Sequence, residues 1–301
     1  MADRGPLARK LTRWIAHPMQ AIGAYSVYGI FAILPVDAAS ALGGWLMRAV
    51  GPRLKAARTA RRNLERALPG KTAAEIDGIL RDMWSNLGRI LGEWPHLNSL
   101  YLNDFGGRVE ISGRENLAIA RDASAPLIVF TGHHGNWELV GAVCASLGAP
   151  LKVIYRPAEN RWVNNLILWA RRRFTGGLLP KGRGAATGAL ALLKAGGNLG
   201  VLIDQKLNEG VPVPFFGRDA MTSPVAARLA VGFRCPVLPV RAERTSGARY
   251  KVTIYPPLEI PDKGDRKQDQ GELLLQMNAM LEGWVREQPA QWFWVHKRWP
   301  D

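Results

Sequence analysis

Hydrophobic and polar positions follow two regimes along this chain, changing near residue 107. In the first, apolar residues recur at helical spacing. Thr72 and Glu75 form a T-A-A-E capping box. After it, Ile76, Ile79, Leu80, Met83, Trp84, Leu87, Ile90, Leu91 and Trp94 keep a 3.6-residue period, which predicts one amphipathic helix whose Met and Trp stripe is core. Upstream, residues 1–18 are basic and amphipathic. Leu7, Leu11, Trp14 and Ile15 share a face, and Arg9, Lys10 and Arg13 sit elsewhere on the wheel. An apolar run from Met19 to Pro35 follows, near the lower length limit for a spanning helix and stopped by Pro35 and Asp37. A weaker apolar stretch, Ala38–Val50, ends at Arg53 and Lys55.

The N-terminal segment admits three readings: a secretory signal, a buried core helix, or a membrane anchor. The anchor fits best, because basic flanks and the aromatics Trp14, Tyr25, Tyr28, Phe31 and Trp45 suit a membrane interface. A single span with the rest of the chain on the cytoplasmic side would put Arg4, Arg9, Lys10 and Arg13 on the far side, against the positive-inside rule. With that placement, either the segment lies in the interface or residues 19–50 form a shallow hairpin, and the interfacial or partly inserted arrangement is favoured.

In the second regime short apolar runs alternate with helical stretches. Strands are expected at Pro126–Thr131, Lys152–Tyr155, Gly200–Asp204 and Val237–Arg241, with an outer strand at Tyr250–Tyr255. Helices are expected from about Asn136, over Asn160–Phe174, Ala185–Ala195 and Pro224–Val231. A closing helix carries Leu273, Leu274, Met277, Met280, Leu281, Trp284 and Val285. Pro261–Gln270 reads as a polar loop. This alternation predicts an α/β fold, a sheet covered by helices. The division expected is an N-terminal anchoring segment, 1–55, and a domain over 56–301, helical over 56–106 and α/β over 107–301.

Charge narrows the partners. The 301 residues carry 40 Lys and Arg against 25 Asp and Glu, a net charge of +15, which favours an anionic membrane, an acidic protein or nucleic acid. Two cysteines, Cys144 and Cys235, exclude a disulfide scaffold and a Cys-rich zinc site. No RRM, zinc-finger or helix-turn-helix signature supports nucleic acid, and no G-x-S-x-G elbow supports a serine hydrolase. A non-enzymatic basic membrane- or nucleic-acid-binding protein stays open on charge alone.

The densest polar cluster is Thr131-Gly132-His133-His134-Gly135-Asn136-Trp137-Glu138, between a predicted strand and a predicted helix. Ligands of α/β sheets bind beyond the carboxyl ends of strands. With the histidine in the turn and the carboxylate on the helix, His133 and Glu138 can meet as a general-base dyad. A structural histidine pair is the plainer reading. The absence of H-x-x-x-H and the opposed side chains of adjacent histidines speak against a metal.

The string H-H-G-N-W-E resembles the H-x-x-x-x-(D/E) motif of the late acyltransferases of lipid A biosynthesis, the lauroyl/myristoyl transferase family. Further blocks resemble that family in the same order: Tyr155-Arg156-Pro157 with Asn160; Asp204-Gln205-Lys206; Val213-Pro214-Phe215-Phe216-Gly217 with Ala220 and Thr222; Pro236-Val237; and the terminal Trp292-Phe293-Trp294-Val295-His296-Lys297-Arg298-Trp299. The resemblance spans nearly the whole chain.

It implies a mixed sheet with helices on both faces, as in glycerol-phosphate acyltransferases. It also implies transfer of an acyl chain from an acyl carrier protein thioester to a hydroxyl of a lipid A precursor, at the bacterial inner membrane with the catalytic domain facing the cytoplasm. No cofactor is implied beyond that donor. Under it, His133 and Glu138 form the base and Arg156 either stabilises the oxyanion or anchors a phosphate. Asn136 orients the loop or donates to substrate. Asp204 positions Arg156, binds the acceptor sugar or is a structural cap. The run Arg171-Arg172-Arg173, with Lys181 and Arg183, is either a solvated face or a dock for an acidic carrier protein or lipid phosphates. Another amphiphilic acceptor, such as a phosphatidylinositol mannoside, an ornithine lipid or a glycerophosphate, is compatible with the same motifs.

Overall fold

A computed structural model describes residues 12–102, 104–122 and 126–299. Thr12–Ala16 form a short π-helical turn, and Trp14 and Ile15 are exposed; Arg4, Leu7, Arg9, Lys10 and Leu11 lie outside the described residues. Helix α1 (His17–Ile33) ends where Pro35 turns the chain into α2 (Val36–Val50). Helices α3 (Lys55–Ala67) and α4 (Ala73–Glu93) follow. The predicted capping box starts α4: Thr72 Oγ1 accepts from Glu75 N at 3.3 Å, and Glu75 Oε2 accepts from Thr72 N at 2.8 Å. Among the described residues no helix is long and apolar enough to cross a membrane. Helix α1 has 17 residues, or roughly 26 Å at ~1.5 Å per residue, against ~30 Å of hydrocarbon core.

After α5 (Leu97–Leu102), strand β1 (Val109–Ser112) and α6 (Arg114–Asp122) lead into β2 (Ile128–Thr131), α7 (Glu138–Ser146), β3 (Leu151–Tyr155) and α8 (Arg161–Arg171). Next come β4 (Gly177–Pro180), α9 (Arg183–Lys194), β5 (Asn198–Leu202), the hairpin β6 (Val211–Phe215) and β7 (Arg218–Thr222), and α10 (Val225–Phe233). Strands β8 (Val237–Ser246) and β9 (Arg249–Ile254) and helix α11 (Arg266–Glu287) complete the chain's main elements.

Seven strands form one mixed sheet in the order β1-β9-β8-β2-β5-β3-β4, and every pair is parallel except β8 with β9. Alternation along the central strand explains the layers. Ile128 and Phe130 point into a core shared with α3, α4, α9, α10 and α11, while Leu127 and Val129 point into a second core with α6 and α7.

The structure differs from the sequence reading at several places. Tyr250–Tyr255 is not an outer strand: β9 lies between β8 and β1, because the short β1 covers its free edge. Half of the expected loop Pro261–Gln270 is helix, since Asp265 caps α11 by accepting from Lys267 N and Gln268 N at 2.8 and 3.3 Å. Strands β1, β4, β6 and β7 are absent from the sequence reading; β4 pairs with β3, and β6 with β7.

Helices α2 and α4 touch backbone to backbone. A methyl added at Gly88 would overlap the carbonyl of Gly43, and one at Gly92 would overlap that of Ala39. The segment after α11 folds back as a strap that buries Trp292, Trp294, Arg298 and Trp299 against Phe215 and Phe216. Trp299 Nε1 donates to Phe215 O at 3.0 Å. Two histidines are enclosed here. Burial first, and the Arg241 charge second, push the His134 pKa down to about 3. Burial, then the His133 charge, push that of His296 down to about 4.

Two predictions follow from this packing. Gly88→Ala overpacks the α2–α4 contact and should lower stability by about 1–3 kcal/mol, read as a fall in melting temperature. His134 and His296 have folded pKa values below the ordinary ~6.5, so the unfolded chain binds more protons in mild acid. Stability is therefore full above about pH 6.5 and should fall progressively as pH drops toward about 4. Melting temperatures across that range should show the decline, and His296→Gln should flatten it.

Candidate active site

The site is assembled by register. Strands β2 and β5 are parallel neighbours with Thr131 opposite Leu202, so the residues two beyond each strand end also face one another. Those residues are His133 and Asp204. The ladder extends to meet them through Ile203 N donating to Thr131 O at 3.1 Å. Asp204 is fully buried. Its Oδ2 accepts from His133 N at 2.6 Å and from Trp292 Nε1 at 2.8 Å, and its Oδ1 lies 2.7 Å from His133 Nδ1. Burial alone would raise the Asp204 pKa; the His133 charge and these hydrogen bonds outweigh it and hold the carboxyl well below its usual range.

A carboxylate at Nδ1 assigns the proton to that nitrogen and leaves Nε2 as the acceptor. Nε2 lies 3.4 Å from the side-chain nitrogen of Gln205, which can donate to it. Trp137 and His296 contact the imidazole edge-on, with ring centroids at 4.9 and 4.8 Å.

The sequence reading paired His133 with Glu138, and the structure pairs both differently. Glu138, at the first position of α7, receives Arg171 Nε at 2.8 Å and Arg171 Nη2 on its other oxygen, a bidentate ion pair. Both side chains still line the same cavity as His133. Arg171 is the last residue of α8 and turns inward, whereas Arg172 and Arg173 are exposed and outside the cavity lining. The basic run thus divides at the end of α8.

Asn136 is fully buried and does not line the cavity: its Nδ2 donates to Glu93 Oε2 at 3.1 Å and to the Tyr250 hydroxyl at 3.4 Å. Arg156 follows β3 and Lys181 follows β4, and the pairing of Tyr155 with Pro180 sets them side by side. Both are exposed cavity-lining residues. Partial burial first, and the Arg156 charge second, lower the Lys181 pKa.

The cavity itself is about 790 Å³ and runs between the strand ends and α7, α8 and α9. Val129, Val140, Leu151, Val153, Ile167 and Phe174 make its wall largely apolar. His133, Gln205, Glu138 and Arg171 supply convergent polar groups, and a largely apolar cavity with a few such groups has the composition of a ligand site. Sequence reasoning did not foresee Trp292 on Asp204 or His296 on His133. Both lie in the aromatic terminal block, whose density of Trp was the available signal.

Residues 6–301 match the family model described as bacterial lipid A biosynthesis acyltransferase. Two curated relatives are each 26% identical over 304 residues, covering 96% of this chain and 94% of the relative: the lipid A biosynthesis palmitoleoyltransferase of Escherichia coli (strain K12) and the lipid A biosynthesis acyltransferase of Shigella flexneri. Among solved structures, the 1-acyl-sn-glycerophosphate acyltransferase of Thermotoga maritima overlays with a TM-score of 0.37 at 17% identity, over 73% of this chain and 97% of that one. With the match running essentially from end to end, the chain belongs to the bacterial lipid A biosynthesis acyltransferase family.

Proposed function

We propose that this acyltransferase moves a fatty acyl chain from an acyl carrier protein thioester to a hydroxyl of a lipid A precursor, with His133 Nε2 as general base. The observation that supports this reading best is the imidazole whose Nδ1 meets a buried carboxylate, at the head of a largely apolar cavity. The acyl chain lies along the apolar wall. The acceptor hydroxyl displaces the Gln205 amide from Nε2, attacks the thioester carbon and gives its proton to Nε2. The resulting oxyanion is stabilised by nearby cationic donors, with Arg156 as the candidate from the strand ends and Arg171, fixed by Glu138, as the neighbour. Collapse breaks the carbon–sulfur bond, and Nε2–H returns the proton to the departing thiolate. Glu138 acts through Arg171 here, and Asp204 takes the orienting role on His133.

The donor assignment rests on charge. Arg156 and Lys181 at the cavity opening, with Arg172, Arg173 and a net charge of +15, suit an acidic carrier protein bearing a phosphorylated prosthetic arm. Membrane association rests on exposed apolar side chains: Ile22, Ile30 and Ile33 on α1, and Trp45, Leu46 and Val50 on α2. In this reading α1 and α2 lie in the cytoplasmic face of the inner membrane without crossing it.

Three outcomes are expected. In detergent, with acyl carrier protein thioesters and a lipid A precursor, His133→Ala should lower kcat by on the order of 10²–10⁴-fold. Asp204→Asn should do comparable damage. Transfer by His133→Ala at the wild-type rate would sink the assignment of the base. Ile33→Asp combined with Trp45→Asp should shift the protein from sedimenting with anionic vesicles to the supernatant; unchanged sedimentation would contradict the interfacial placement.

A further inference from the structure

The reactive turn has two faces. His133, Trp137 and Glu138 face the cavity, while Gly135 and Asn136 face inward. What they meet there is a buried carboxylate. Glu93, the last residue of α4, is 1% exposed. Its Oε1 accepts from Ser40 Oγ at 2.7 Å and from Arg244 Nη1. Its Oε2 accepts from Asn136 Nδ2 at 3.1 Å, from Arg244 Nη2 at 3.3 Å and from the Tyr250 hydroxyl.

The same cluster holds the turn's backbone. Arg244 Nε donates to Asn86 Oδ1 at 2.8 Å, and Asn86 Nδ2 donates to Gly135 O at 3.1 Å. Gln291 O accepts from Gly135 N at 2.9 Å, and the Gln291 side chain bonds both Arg244 N and Arg244 O. Gly135 has φ +57°, and a methyl there would overlap the Ala242 carbonyl. The turn thus sits against β8 with no slack. Tyr250 stays a phenol and a donor, because burial first and the Glu93 charge second raise its pKa well above the usual value.

We propose that Glu93, together with Arg244 and Tyr250, is a positioning residue of the acyl-transfer reaction: it fixes Asn136 and Gly135, and through them the placement of His133 against Asp204. This rests on the reading of His133 as the base. Glu93 touches neither substrate nor the reacting imidazole. A side chain that only stabilised the fold would change melting temperature and leave the rate of the folded fraction alone; one that sets the turn changes the rate constant. Displacing a reactive group by ~1 Å can cost roughly 100-fold in rate.

The test compares Glu93→Gln, the milder Tyr250→Phe, Asn136→Ala, the double variant Glu93→Gln/Asn136→Ala, and Asp269→Asn as a control. Asp269 is another buried carboxylate, in the first turn of α11, which accepts from Lys263 N. All are assayed as folded full-length protein in detergent. The expected result is a fall in kcat on the order of 10–100-fold for Glu93→Gln, and a smaller fall for Tyr250→Phe. KM for donor and acceptor should stay within about twofold, and the double variant should be no slower than the worse single one. Asp269→Asn should keep wild-type kcat. Additive effects of Glu93→Gln and Asn136→Ala, or a change confined to KM, would overturn the proposal. If Glu93→Gln does not fold, Tyr250→Phe and its double variant with Asn136→Ala decide it by the same criteria.

A second readout does not depend on turnover. The downfield Nδ1–H proton resonance of His133, assigned by its loss in His133→Ala, should shift or broaden in Glu93→Gln and Tyr250→Phe and stay in place in Asp269→Asn. An unmoved resonance in both former variants would overturn the proposal. Wild-type protein that shows the resonance but transfers no acyl group would instead count against His133 as the base of this reaction, leaving the positioning inference to be judged on the resonance.

Discussion

The carboxylate of Asp204 is the junction on which the turn at His133 depends. It sits with zero exposure and is bonded by three donors from two segments: the backbone and ring of His133, and the indole of Trp292. Without those donors its burial would force it to take a proton. With them it stays charged and dictates which nitrogen of His133 carries hydrogen. The sheet makes this possible, because parallel pairing of β2 with β5 brings two strand ends to the same height. The aromatic strap makes it dry.

A second buried carboxylate does comparable work from the opposite side. Glu93 joins α4, β8 and β9 to the inner face of the turn, and it reaches α2 through Ser40. Both acids are compensated in full, as buried charges must be to persist. Between them the turn has little freedom: one fixes its imidazole, the other its backbone and Asn136.

Much of this was legible in the sequence, in proportion to how local the cause is. The capping box at Thr72, the strand–turn–helix around His133 and the closing helix each depend on neighbours within a few residues, and each lies where its pattern puts it. Asp204 was recognisable as a strand end, but its partner depends on strand order, which no local pattern carries; hence Glu138, five residues from His133, stood in for it. Arg171 was hidden in a run of three arginines whose division depends on where α8 ends. Glu93 carries a local signal. It falls three residues after Ile90 on the apolar face of α4, and an acid at a core-facing position is rarely there without partners. Strand β1 and the proline-bearing β6 are too short or too irregular to stand out by period.

The strap also sets the order of events in the life of the chain. Trp292 is 88 positions beyond Asp204 and 159 beyond His133 in the numbering, so the sheet can pair while Asp204 still lacks its third donor and the imidazole its aromatic neighbours. A growing polypeptide that ends soon after the H-H-G-N-W-E turn has neither Asp204 nor Trp292 to bond around His133. The surroundings of His133 are complete only with Trp292 on Asp204 and His296 on the imidazole, so the turn and the strap form one unit across the length of the α/β region.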